Sequence, residues 1–443
     1  MKPSPYNHFF DAKDGSMILA FNSYTGALAE IEKQHYPRVQ HLLAHPDRAE
    51  TEQDREFMQC LKDGGFLIAD AVDQTAALKT RARSTRLEGN TLTLTIAPTL
   101  ACNFDCDYCF ESHSNVRMAE DTQDALLKFT DRYLTRAAAL RICWFGGEPT
   151  LCFSIIERLQ SRLLELAEKH KINIMPGAII TNGYLLDEAM ARRLKDLSIA
   201  QAQITIDGPA AVHDSRRKLR NGRGTFDRII DNLSVTADIL NINVRINVDK
   251  ENVDSACEVA EQLQQRGILP KIKVYFAQVT SSGAACSNIR DRCYDDKEFS
   301  ETLVSIYQRL YDKGMRQVDY PHVMTGATCG AICEGHFVVS PTGHLFRCWE
   351  DLALDPAKSI GHLTALTPDD MQRKNLETYT AWDPFKLAEC RECKIFPVCM
   401  GGCPMRSIQN PEVPHGVCSS WKYNFKEMLA LAHSGAARQA AAK

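Results

Sequence analysis

No stretch of this sequence approaches the roughly 18 consecutive apolar residues that a bilayer-spanning helix requires. Its first residues, MKPSPYNHFFDAKDG, lack the apolar centre of a secretory signal. Charge of neither sign dominates: a net −4 over 443 residues gives no general reason to expect a nucleic-acid partner. These absences together predict a cytoplasmic protein that binds neither membrane nor nucleic acid. Such a compartment disfavours disulfides, yet the chain carries 17 cysteines, an odd count that excludes a complete set of pairs. Eleven of them fall into three tight groups: 102, 106 and 109; 329, 333 and 348; 390, 393, 399, 403 and 418. Clustered thiols in a chain too large to need staples point to zinc or iron–sulfur ligation.

What is present is otherwise ordinary for a globular protein of two to four domains, with 44% hydrophobic and 24% charged residues. Residues 1–70 predict a small winged-helix-like module. HFFDAKDGSMILAF reads as a hairpin around a DG turn, and TGALAEIEKQHYPRVQHLL as a helix. TEQDREFMQCLKDGG reads as a second helix, capped at Thr51 and stopped at Gly64–Gly65, and FLIAD as a closing strand. Residues 71–90 read as a linker. From 91 to 320 the segments TLTLTIA, LRICWF, MPGAIITNG, AQITIDG, INVRINVD and IKVYFAQV alternate with helical stretches. Six strand–helix units predict an α/β fold, a parallel sheet curved into a partial (β/α)6 TIM-like barrel. Residues 321–425 are rich in Gly, Pro and Cys and predict a loop-rich domain folded around metal. Residues 426–443 read as an Ala-rich tail.

The segment CNFDCDYCF, residues 102–110, follows the first predicted strand and so lies at the rim where such folds bind ligands. Three thiolates are one short of a closed tetrahedral site. A distant fourth protein ligand would make this zinc; a fourth position left open would make it a reactive cluster.

The spacing C-x3-C-x2-C, with Tyr108 before Cys109, resembles the signature of the radical SAM superfamily. That resemblance implies a four-iron four-sulfur cluster on Cys102, Cys106 and Cys109, its open iron chelated by S-adenosylmethionine. One electron from the cluster then cleaves the sulfonium to a 5′-deoxyadenosyl radical, which abstracts substrate hydrogen. Three further motifs fall after predicted strands in the family's order. FGGEP, with Gly146, Gly147 and Glu148, resembles the motif facing the methionyl amine. TNG, with Thr181 and Asn182, and TIDGP, with Thr205 and Asp207, are expected to contact the same cosubstrate. The basic run RRKLRNGR supplies Arg217 as a candidate for its carboxylate.

The distal cysteines, with their G-x4-C element at Gly343–Cys348, resemble the SPASM extension of this superfamily, which implies two auxiliary four-iron four-sulfur clusters. By that resemblance Cys329, Cys333, Cys348 and Cys403 hold one, and Cys390, Cys393, Cys399 and Cys418 the other. On spacing alone zinc would serve as well, and either Cys329 or Cys333 alone could begin the pattern. Cys60, Cys143, Cys152, Cys257, Cys286 and Cys293 receive no role.

SPASM enzymes mostly modify peptides or proteins. In the sulfatase maturases an aspartate follows the cysteine of G-x4-C; here Trp349 stands there, with Glu350 and Asp351 the nearest acids and candidate catalytic residues. The N-terminal module resembles an element that captures the leader of a precursor peptide. The expected protein is therefore a maturase of ribosomally made peptides that forms a thioether or carbon–carbon crosslink. Its expected partners are a leader-bearing precursor and an electron donor such as flavodoxin or ferredoxin. A formylglycine-forming sulfatase maturase and a zinc-stapled winged-helix regulator are the alternatives.

Overall fold

The computed structural model describes residues 1–111, 114–281, 289–327, 329–352, 355–365, 367–410 and 417–441. The chain divides into two compact units. One comprises Leu87–Asp295 with Cys329–Trp382; the other comprises Met1–Arg86, Asp296–Thr328 and Asp383–Lys443. Among the described residues no helix is long and apolar enough to cross a membrane.

The first unit holds six parallel strands: β1 (Thr91–Ile96), β2 (Ala139–Trp144), β3 (Gly177–Thr181), β4 (Ile199–Thr205), β5 (Asn241–Val248) and β6 (Lys273–Gln278). Each pairs with the next. In β1 the alternating Leu92, Leu94 and Ile96 are fully buried, which fixes its register. The connecting helices cover the sheet through apolar stripes. In Phe153–His170 these are Ile156, Leu159, Leu163 and Ala167, at helical spacing. The result is a mixed α/β fold with the expected partial barrel, and the carboxyl ends of its strands share one rim.

Past residue 320 the sequence suggests no strand, yet three extend this sheet. β7 (His336–Val339) lies parallel to β1, and β8 (His344–Phe346) and β9 (Gly361–His362) continue antiparallel. Val338, Phe346 and Leu352 pack with Ala97 and Phe145. The G-x4-C cysteine is thus carried from the sheet's own edge, at the end of a β-hairpin.

The second unit departs further from expectation. Its sheet has three antiparallel strands, Asn7–Asp11, Met17–Asn22 and Leu28–Glu32. The third lies in what reads as the first helix, which actually begins at Tyr36, with Pro37 in the first turn where no N–H is needed. The expected cap at Thr51 is present as a capping box with Asp54. FLIAD contributes only Leu67–Ile68, paired with Lys2–Pro3. The expected linker is mostly the helix Gln74–Leu87, whose Leu78 and Ala82 bury against Phe385, Phe396 and Met400. Two apolar residues one turn apart among arginines left too faint a pattern to read.

Nor is the N-terminal module a body of its own. Phe21, from its central strand, packs against Ile395, Val398, Phe425 and Leu429 of the cysteine-rich segment. The expected tail belongs to the helix Trp421–Ala441, where Met428, Leu429 and Leu431 are buried. The two units divide the chain elsewhere than at 320 and 425: the helix Asp296–Asp312 falls in the unit of the N-terminal sheet, and residues 329–382 in that of the barrel.

Candidate functional site

The cysteine loop leaves β1 and returns as a short strand, Phe104–Cys106, paired antiparallel with Arg217–Leu219. Cys106 stands opposite Arg217 in that ladder. Two local motifs thus become one: the thiol loop and the basic run are hydrogen-bonded backbones. Cys102, Cys106 and Cys109 all line one cavity of ≈ 250 Å³ at the rim. Burial pushes the Cys102 thiol up to about 12 and raises Cys106 and Cys109 as well. At neutral pH such thiols stay protonated unless a cation ionises them.

The GGEP loop is locked against the cysteine loop. A Cβ on Gly146 would come within 2.4 Å of the Thr99 carbonyl oxygen, and one on Gly147 within 2.5 Å of that of Ala101. Only glycine permits this approach. Glu148 is fully buried and is absent from the cavity wall. Its Oε1 accepts from Thr181 Oγ1 at 2.7 Å and from Thr150 Oγ1 at 2.6 Å, and its Oε2 accepts from Asn182 N at 2.7 Å. Asn182 Nδ2 in turn donates to Asn103 Oδ1 at 2.8 Å. Glu148, expected to contact the cosubstrate, clamps the ends of β2 and β3 and, through Asn182, the cysteine loop. Burial raises its pKa while these hydrogen bonds oppose the rise. Nearby, burial and then the Glu148 charge push the Glu111 carboxyl up to about 8.

Arg217 lines the cavity and donates to the Tyr108 hydroxyl. Asn247, at the end of β5, donates to the same hydroxyl at 3.1 Å and accepts from Arg245 Nε at 2.7 Å. Tyr108 thereby holds the Arg217 head in place. Behind it, Arg216 makes a two-armed pair with Asp249 at 3.2 and 2.9 Å and meets Asp207 at 3.4 Å. Asp207 is fully buried in this pair and does not line the cavity. Thr205, Thr181, Asn182, Gly146 and Gly147 do line the cavity.

The two candidate acids separate. Glu350 lines the cavity beside Trp349, whose ring tilts over Phe145 with centroids 5.7 Å apart. Asp351 is buried, accepts from the Tyr379 hydroxyl at 2.5 Å and pairs with Lys358 at 3.6 Å. Gln203, Arg245, Asn247 and Gln278 also line the wall and escape sequence reading. Their one available signal is position: each lies at or near the carboxyl end of a barrel strand.

Among the distal cysteines, Cys329, Cys333 and Cys348 lie in the barrel unit and the other five in the N-terminal unit. Arg347, adjoining Cys348, is only 2% exposed, and its hydrogen bonds go to the carbonyls of Glu334 and His336. Burying a guanidinium among carbonyls calls for nearby negative charge, which thiolates on a metal would supply. Cys390, Cys393, Cys399 and Cys418 line a single small cavity of ≈ 20 Å³ with Lys422; Cys403 does not line it. Among the described residues no three His, Cys, Asp or Glu side chains converge as ligands of one ion. A tetrahedral zinc site draws its sulfurs to about 2.3 Å from a common centre. Four thiols around one cavity are a donor set that suits zinc or an iron–sulfur cluster. Cys286 lies outside the described residues; Cys152 and Cys257 are buried and Cys60 is exposed.

Residues 96–263 match the model of the Radical SAM superfamily. A cysteine-type anaerobic sulfatase-maturating enzyme of Clostridium perfringens (strain 13 / Type A) is 25% identical over 347 residues, covering 70% of this chain and 88% of that protein. A serine-type anaerobic sulfatase-maturating enzyme of Klebsiella aerogenes is 22% identical over 347 residues, covering 74% and 83%. Among solved structures, native anSMEcpe with bound AdoMet and Cp18Cys peptide superposes with a TM-score of 0.59 at 20% identity, covering 78% of this chain and 99% of that one.

Proposed function

We propose that this radical SAM enzyme, whose family domain spans residues 96–263, acts on a leader-bearing precursor peptide and closes a thioether or carbon–carbon ring in it. When bound, a four-iron four-sulfur cluster with S-adenosylmethionine supplies one-electron cleavage and hydrogen abstraction. The chain's own residues do the rest. Cys102, Cys106 and Cys109 hold the cluster. Arg217, steadied by Tyr108, meets the cosubstrate carboxylate, while Thr205 and the Thr181–Asn182 turn border its remaining polar groups. Glu148 and Asp207 fix the loops that carry these contacts. Trp349 walls the substrate side, and the Glu350 carboxylate accepts the proton released as the ring closes. Cys390, Cys393, Cys399 and Cys418 hold the acceptor of the surplus electron.

The observation that carries a peptide substrate is the strand Leu28–Glu32. Among the described residues it pairs on one side only, with Met17–Asn22, so its other edge has no strand partner there. An extended leader can add there, with backbone hydrogen bonds giving affinity and side-chain pockets giving register. About a fifth of this chain lies outside its superposition on anSMEcpe, which is itself almost wholly covered. That neighbour binds a peptide beside AdoMet, which agrees with a peptide as substrate here.

Formylglycine formation is the second reading, favoured by the 25% identity to a sulfatase-maturating enzyme. Against it stands Trp349, on the cavity wall at the position where the resemblance requires an aspartate. The match of residues 96–263 to the Radical SAM superfamily model speaks against the zinc-stapled regulator. The test is to incubate the anaerobically reconstituted protein, with S-adenosylmethionine and dithionite, with the short peptides encoded beside its gene. Loss of two hydrogens per ring, with amide exchange slowed at Leu28–Glu32, is the expected result. Conversion of a Cys or Ser to formylglycine in a sulfatase peptide, without ring formation, would overturn it.

A further inference from the structure

The four-thiol cavity contains a cation that the proposed function does not use. Lys422 lines it together with Cys390, Cys393, Cys399 and Cys418, and its Nζ donates to Cys418 Sγ at 3.3 Å. Among the described residues Lys422 makes no ion pair with a carboxylate. It is the second residue of the helix Trp421–Ala441. There the unsatisfied backbone N–H groups make the helix end positive and repel a cation. A lysine held at that end, aimed at sulfur and in no ion pair with Glu389, which also lines the cavity, needs a local source of negative charge. The thiolates supply it.

We propose that Lys422 is a positioning residue that sets the reduction potential of the centre held by Cys390, Cys393, Cys399 and Cys418. This rests on the reading of that centre as an iron–sulfur cluster. The step it governs is one electron entering the centre from the substrate radical, with no bond made or broken there and the proton staying on Nζ. The added electron increases the negative charge on the thiolate sulfurs. A charge-assisted N–H···S bond is then stronger in the reduced state than in the oxidised one, so it raises the potential. The second shell of a metal centre acts in this way generally.

The test is a redox titration followed by electron paramagnetic resonance on the reconstituted full chain, carrying Cys102, Cys106 and Cys109 changed to Ala to leave the auxiliary signals alone. Lys422→Met should move one auxiliary transition to lower potential. At the potential where the parent centre is half reduced, its reduced-to-oxidised ratio should fall roughly tenfold, about 59 mV for one electron. Lys422→Arg should titrate near the parent value. Lys422→Gln, which keeps an N–H donor without charge, should fall between them and serves if the Met variant does not assemble. Unchanged transitions in Met and Gln variants of full iron content would overturn the proposal alone. Zinc in place of iron at these four cysteines in the parent would overturn the reading beneath it.

Discussion

At the barrel rim three thiols share ≈ 250 Å³ with Arg217, Asn182 and Thr205, whereas in the C-terminal segment four thiols share ≈ 20 Å³ with Lys422. The residue type is the same and the surroundings are opposite. The first cavity is walled by hydrogen-bonded polar groups together with Phe104, Phe145, Ile180 and Trp349, with space left for a small molecule. The second is closed around its thiols and has space for no organic cosubstrate. Three thiols beside space for a small molecule suit the proposed centre that binds and reacts. Four thiols in a cavity too small for one suit the proposed centre that passes electrons.

The sharpest way to break this contrast is to remove the three thiols. Cys102, Cys106 and Cys109 changed together to Ala should abolish S-adenosylmethionine cleavage while iron at the distal cysteines stays. Retained cleavage, measured as 5′-deoxyadenosine release, would refute the assignment. Next in size is the clamp. Glu148→Ala strands the donors of Thr150, Thr181 and Asn182 in a buried place and should cost about 3–5 kcal/mol in chemical denaturation. A loss under about 1 kcal/mol would show that Glu148 does not hold the rim together.

The rim should also show acid sensitivity that the closed centre does not explain. His213 is fully buried; its Nδ1 accepts from Asp207 N at 3.3 Å, and its Nε2 lies 3.0 Å from Thr225 Oγ1. Burial, and then the Arg217 charge, depress its pKa from 6.5 to about 3. Below 6.5 the unfolded chain takes up this proton first, so stability is complete above that pH and falls as the pH drops toward 3. The loss should total roughly 3–5 kcal/mol across the window. Denaturation at a series of pH values should show a shallower slope in His213→Gln; equal slopes would exclude His213 as the cause. The smallest effect expected is at the arginine. Arg217→Lys keeps the charge but loses the planar fork, and should weaken S-adenosylmethionine binding by about 1–2 kcal/mol. Equilibrium binding to the reconstituted protein measures it, and unchanged affinity would move the carboxylate contact elsewhere, with Arg245 the next candidate.

Much of the rim was legible because its signals are local. Cysteine spacing, the paired glycines of GGEP and the alternation of TLTLTI each need only a few neighbouring residues. The supporting contacts are not local. Tyr108 and Asn247 lie 139 residues apart, and Arg216 and Asp249 lie 33 apart. Nothing in either segment names its partner. Glu148 and Asp207 were located by their motifs but their hydrogen-bond partners were not, since a motif tells which carboxylate sits at a strand end and not which way it turns. The N-terminal unit was hardest for the same reason. Leu28–Glu32 and Gln74–Leu87 take their structure from partners far along the chain, and Phe21 finds its core among residues 395–429.

The most direct test of the open-against-closed account is the resonance signal that the reduced protein loses when Cys102, Cys106 and Cys109 are replaced. Adding S-adenosylmethionine should shift that signal and leave the remaining auxiliary signals unmoved, with about twelve iron atoms bound per chain in the parent. A signal indifferent to S-adenosylmethionine, or a shift that survives in the triple variant, would contradict it.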